Sequence, residues 1–255
     1  MTQPTPTPST FSPLLSGNDG GRAGAVRDVA LPGVPGFAVG DVAGVMRSLS
    51  ALFWGLPLTL LAFARHFLMV IPSAYDAILP PVGTVLLVFG LLRIGRFQRQ
   101  ERVWQEALFS SQVLGVLLLG LSPFLYLWSR VPSEPLFARA VGVLLVGSLV
   151  FLVSVSLTLA RLAAMLPDAA AHSDARLFHT LTGYLASTVG AITAGLYWRL
   201  EPPTLSDFLA LPQQPVAHGL QAFVLVLVLV PVAMSMALTW KLKEVALGVL
   251  ADRSR

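Results

Sequence analysis

From residue 48 onward, apolar residues run in six long blocks separated by short polar intervals. The blocks cover about 48–71, 78–95, 107–128, 138–160, 180–198 and 220–240. A helix needs roughly 20 such residues to cross a hydrocarbon core, and only the second block is clearly short of that. Val143 to Val155 shows no alternation of apolar and polar positions, which a membrane β-strand would require over about ten residues. Lipid offers no partner to a backbone N–H or C=O, so blocks of this kind pair their polar groups internally as helices. The pattern predicts an all-α integral membrane protein, with six transmembrane helices arranged as three helical hairpins.

The intervals carry the punctuation expected at membrane boundaries. Pro57 falls inside the first block, where it kinks a helix, and Pro72 follows its end. The third block finishes Tyr126, Leu127, Trp128, Ser129, Arg130 and the fifth finishes Tyr197, Trp198, Arg199, aromatic-then-cation endings that mark the interface. Ahead of the blocks, residues 1–36 are rich in Thr, Pro, Ser and Gly and too poor in apolar side chains to offset their ordering entropy. They predict a disordered tail without signal-peptide organisation. Residues 37–47, with Phe37, Val39, Val42, Val45 and Met46 among polar positions, predict an interfacial amphipathic lead-in to a transmembrane domain at 48–250.

Charge orients this arrangement. Arg93, Arg96, Arg99 and Arg102 recur every third residue directly after the second block, in a chain with only 12% charged residues. With the amino terminus inside, thirteen Lys and Arg lie on the inner side: Arg22, Arg27, Arg47, the four of the cluster, Arg161, Arg176, Lys241, Lys243, Arg253 and Arg255. Only Arg65, Arg130, Arg139 and Arg199 lie outside. Because Lys and Arg are retained in the cytoplasm, both termini are expected there. The preponderance of Arg over Lys, with abundant Ala, points to a GC-rich bacterial genome and hence the inner membrane.

Composition then narrows the chemistry. The chain is 55% hydrophobic and has no cysteine, so disulfides, thiolate nucleophiles and Cys-ligated metals are excluded. The net charge of +4 comes from loop arginines rather than an aromatic-interleaved basic face, so nucleic acid is not an expected partner. No Asp, Glu, Lys or Arg occupies the middle third of any block, where proton-coupled transporters and voltage sensors place them. No G-x-S-x-G or H-E-x-x-H motif is present. His172, His179, Asp168 and Asp174 gather in one polar connection, but without metal-ligand spacing. No catalytic residue, metal site or cofactor is expected.

Two features remain as candidate contact sites. The first is the run Arg93, Arg96, Arg99 and Arg102: Arg96, Arg99 and Arg102 form one face of a short helical stretch whose other face is Ile94, Phe97 and Trp104. That predicts a surface-lying helix touching anionic lipid or a partner's acidic edge. The fifth block carries two rows of small residues four apart: Gly183, Ser187, Ala191, Gly195 and Ala186, Gly190, Ala194. In lipid such rows let another backbone approach closely, within the same molecule, in a homo-oligomer or in another membrane subunit. The expected function is a structural, assembly or regulatory subunit of a membrane complex. A channel or facilitator for a small neutral solute and a lipid-handling membrane enzyme are the alternatives.

Overall fold

The computed structural model describes residues 39–67, 77–95, 102–165, 168–200, 205 and 218–253. The chain divides into Met1–Gly36 and Phe37–Arg255, and every described residue belongs to the second unit. The expected tail and part of the connections, including Arg96, Phe97 and Arg99, lie outside the described residues. Among the described residues all regular structure is helical. In order these are α1 (Val39–Phe67), α2 (Leu79–Ile94), α3 (Arg102–Arg130), α4 (Pro135–Ala164), α5 (Ala169–Leu200) and α6 (His218–Arg253).

Among the described residues four helices are long and apolar enough to cross a membrane: Ala43–Arg65 within α1, α3, α4 and Phe223–Gly248 within α6. The chain is therefore a membrane protein. Val85, Phe89, Phe109, Val116, Val143, Val146, Phe223 and Val226 stand about half exposed or more on the helix exteriors, as lipid-facing side chains do. Of the other two helices, α2 has 16 residues, about 24 Å at 1.5 Å per residue, shorter than a full hydrocarbon core. α5 is long enough, with 32 residues, but Thr, Ser, Gly and Tyr dilute its apolar content.

Helix limits follow local chemistry. Pro80 and Pro81 in the first turn of α2, and Pro135 at the start of α4, sit where a missing N–H costs nothing and a fixed φ is already helical. Asp168 starts α5 by accepting a bond from the Ala170 N–H at 2.9 Å, which satisfies one of the free donors of the first turn. Ala169, Ala170 and Ala171 then favour helix over any alternative. Residues 169–179, expected as a polar connection, are consequently the first three turns of α5. Likewise α1 runs unbroken from Val39, so its amphipathic opening is continuous with the span. Inside α3, Pro123 cannot donate to the Leu119 carbonyl, and the Ser122 hydroxyl takes that oxygen instead at 2.9 Å.

The helices pack in sequence neighbours, α1 on α2, α2 on α3, α3 on α4, α4 on α5 and α5 on α6, while α6 closes back on α1 and also touches α4. The closest seam is α1–α2. A Cβ added at Gly83 would meet the Thr59 amide nitrogen at 2.9 Å, and one at Gly90 would meet the Ser48 carbonyl oxygen at 3.0 Å. Gly55, on the opposite side of that seam, faces Leu87 equally tightly. Small residues here bring two backbones together, the usual basis of helix association in lipid. The core is filled by Leu49, Leu52, Leu91, Leu108, Trp104 and Trp128 with Val141, Leu144 and Leu159 of α4.

Candidate functional site

Polar side chains inside the bundle concentrate at one end, where α2 finishes, α3 begins, α4 finishes and α5 begins. From α2 to α6 each successive helix pair is joined there by a bond between side chains or from a side chain to backbone. Gln112 of α3 donates its amide to the Leu91 carbonyl of α2 at 3.0 Å. Gly95 permits that approach, since a Cβ there would lie 2.8 Å from the Gln112 amide nitrogen and 2.9 Å from Leu108.

Between α3 and α4, Ser111 Oγ lies 2.8 Å from Ser154 Oγ and 2.9 Å from Thr158 Oγ1. Both Ser111 and Thr158 are buried. The Ala107 carbonyl lies 3.1 Å from the Ser111 hydroxyl, and the Ser154 carbonyl lies 3.0 Å from the Thr158 hydroxyl. Three hydroxyls and two carbonyls thus satisfy one another in an apolar setting, where an unpaired hydroxyl costs on the order of 1–3 kcal/mol. The cluster holds no titratable group, so it ties helices rather than moves protons.

Between α4 and α5, Ser156 Oγ and His179 Nδ1 are 3.0 Å apart. The Ser156 hydroxyl also lies 2.7 Å from the Val153 carbonyl; when it donates there, the imidazole N–H donates to Ser156. Burial first, and then the positive field of Arg161, hold the His179 pKa below its ordinary 6.5. A serine beside an imidazole resembles a nucleophile and its base, but catalysis also needs a third group to orient the ring. Among the described residues none bonds it. Between α5 and α6, Asp174 pairs with Lys241 at 2.5 Å in a half-exposed salt bridge.

The sequence-predicted sites fall as follows. Arg93 lies at the last turn of α2 with its guanidinium 5.8 Å from the centre of the Phe89 ring. Arg102 opens α3, fully in solvent, and pairs with Glu106 at 3.1 Å. Arg96 and Arg99 lie outside the described residues. Ile94 and Trp104 are completely buried, so these two side chains face the bundle interior.

The small-residue rows of α5 divide. Ala186 is buried with Ala171, Ala175, Thr182 and Val189 on the face toward the bundle. Ser187, Ala191, Ala194 and Gly195 are exposed. A Cβ added at Gly183, Gly190 or Gly195 would meet nothing within 4 Å. The closest glycine contacts lie instead at Gly55, Gly83 and Gly90 between α1 and α2 and at Gly95 against α3.

No family model, curated protein or solved structure matches this chain. Among the described residues no three His, Asp or Glu side chains come together as a metal site. The feature that sequence reading missed is the chain of polar joints. Ser111, Gln112, Ser156, His179, Asp174 and Lys241 were individually visible, and their shared level along the bundle follows once 169–179 is helical.

Proposed function

We propose that this protein is a non-catalytic structural, assembly or regulatory subunit of a membrane complex, with α5 as the helix its partner covers. The observation that carries this reading is the outer face of α5. Gly183, Gly190 and Gly195 have open space, and Ser187, Ala191 and Ala194 are exposed beside them. Small residues weaken a helix's grip on lipid but favour close contact with another helix. α5 is also the long helix with too little hydropathy to count among the apolar spans, so a protein neighbour compensates it better than lipid does. The cluster of Ser111, Ser154 and Thr158 fits a structural role, because its hydroxyls are spent on one another and on backbone.

In this reading all six helices lie in the membrane as three hairpins, the inward side carries Arg93, Arg96, Arg99 and Arg102, and both termini are cytoplasmic. The bacterial inner membrane is the setting that the Arg-rich, Ala-rich composition favours. The four arginines then hold the inner side and contact anionic lipid headgroups, each contributing about 1 kcal/mol near an anionic surface.

Native mass spectrometry of the protein released directly from its membrane tests the subunit reading. Association with a second polypeptide or a second copy, lost in Gly190→Leu while that variant keeps the thermal midpoint of the wild type, is the expected result. A homogeneous monomer from native membranes overturns it.

A further inference from the structure

The polar joints of α5 are of a different kind from those of the other helices. α2, α3 and α4 are linked through neutral amide and hydroxyl groups, whereas α5 is held through its own His179 against Ser156 of α4 and its own Asp174 against Lys241 of α6. Its buried residues are otherwise small: Ala171, Ala175, Thr182, Ala186 and Val189. Ala175 is the one α5 residue fully buried in the main apolar core. Beside it Phe178 packs against that core only partly buried, so the first turns are held by one small buried side chain and part of one ring, at about 25 cal/mol per Å² buried.

We propose that the joint between Ser156 and His179 is a pH-sensitive latch, which releases the first turns of α5 from α4 when His179 takes up a proton. Neutral His179 shares its hydrogen bond with Ser156 at 3.0 Å in a partly buried position. With Nδ1–H already donating to Ser156, protonation falls on Nε2; it leaves that bond in place but puts an imidazolium in the partly buried position, with Arg161 as the α4 charge whose field reaches it. At this end α6 presents Lys241, Lys243 and Glu244, with Lys241 already engaged by Asp174. α5 itself carries Asp168, bonded to its own first turn, together with Asp174 and Arg176. Four cations thus stand against three carboxylates, and all three are committed elsewhere, Glu244 accepting from the Trp240 indole N–H at 2.8 Å. α4 itself carries no carboxylate to pair with a further positive charge, so moving the ring out into water is the way to relieve it.

His172 strengthens the placement. It precedes His179 by seven residues, nearly the same line along a helix, and its Nδ1 atom is buried without a hydrogen-bond partner.

The chain contains no cysteine, so nitroxide labels can be placed on Phe109→Cys of α3 and Leu177→Cys of α5, both well exposed. The full-length labelled protein is reconstituted in lipid nanodiscs, and the distance distribution is recorded between about pH 8 and about pH 5, the range in which imidazoles titrate and carboxylates do not. A longer distance population that grows severalfold on acidification, with its midpoint below 6.5, is expected. In His179→Asn, whose amide keeps the bond to Ser156 without titrating, that population stays at its alkaline level. Arg161→Gln, an exposed position that leaves the seam intact, moves the midpoint upward. His172→Asn retains the response. A wild type indifferent to acid, an unaltered response in His179→Asn, or loss of the response in His172→Asn instead, overturns the latch at His179.

Discussion

Replacing Gly83 by alanine tests how closely α1 and α2 approach. The added Cβ would lie 2.8 Å from Thr59 Cγ2, 2.9 Å from the Thr59 amide nitrogen and 3.2 Å from its Cα. Carbon atoms in good contact sit about 3.5–4.0 Å apart. The methyl group of Thr59 cannot simply rotate away, because its hydroxyl is placed by bonds to the Gly55 and Leu56 carbonyls at 2.9 and 2.8 Å. The amide nitrogen moves only with the helix. The two backbones must therefore separate by roughly half an ångström, which forfeits on the order of a quarter of each affected dispersion contact.

Gly55 against Leu87 and Gly90 against Leu52 share that seam, so the loss spreads along it. Overpacking of this kind costs about 1–3 kcal/mol, and for a body of about 200 residues each kcal/mol lowers the thermal midpoint by about 2–4 °C. Gly190→Ala is the matched control. Nothing lies within 4 Å of its Cβ, and alanine is favoured over glycine in a helix by roughly 0.8–1.0 kcal/mol. Tryptophan fluorescence during heating in detergent should show Gly83→Ala several degrees below wild type and Gly190→Ala at or above it. A midpoint for Gly83→Ala equal to that of Gly190→Ala would refute the close approach of the two helices.

Other outcomes follow from the polar joints. A double-mutant cycle on Ser111→Ala and Thr158→Val, read by denaturant unfolding in micelles, should give a coupling of about 0.6 kcal/mol, the usual size for helix-to-helix bonds in membranes. Asp174→Asn should lower stability by less than about 1 kcal/mol, since its bridge to Lys241 is half exposed, and added salt should erase the difference. His179 takes up its proton less readily folded than unfolded. The unfolded state therefore binds more protons just below pH 6.5, and stability should fall as the pH drops through that value and level off below the folded pKa. The pH dependence of the thermal midpoint checks this, and His179→Asn should be flatter. Gln112→Leu leaves the Leu91 carbonyl without its side-chain donor and should destabilise α2–α3 by about 1 kcal/mol or more, seen as a lower midpoint in the same melting assay.

The apolar blocks made the helices legible, because lipid forces every long apolar run to pair its own backbone. Their ends were less legible, for a definite reason. Hydropathy sees where a helix leaves the apolar phase, not where its hydrogen bonds stop. Asp168 and the three alanines after it start α5 well before the apolar block, and α6 continues through Lys241 and Lys243 to Arg253. The small-residue rows on α5 were conspicuous as spacing, yet the chain's own tight seam uses Gly55, Gly83 and Gly90, which share no simple period with a single partner row. Spacing on one helix shows that an approach is permitted; only the facing helix decides whether it happens. The Ser156–His179 contact was illegible because it depends on a register between two helices 23 residues apart in sequence.

These contrasts assign different mechanical roles to the two sides of the bundle. α1 and α2 meet through glycines and backbone atoms, an interface that resists separation because shape fixes it on both sides. α5 meets its neighbours through small side chains, one histidine bond and one salt bridge, and presents an open row of small residues on the opposite face. Packing against α1–α2 is expensive to disturb at any pH, whereas the position of α5 depends in part on His179, an imidazole whose charge changes in the mildly acidic range. A partner covering the open face would add contact along the whole of α5 and draw the first turns back onto α4. By linkage it would therefore lower the His179 pKa further and make acid release harder. Partner binding and proton uptake should oppose one another through α5 while leaving the α1–α2 seam unchanged. Labels across α1 and α2 that move with pH would contradict this division.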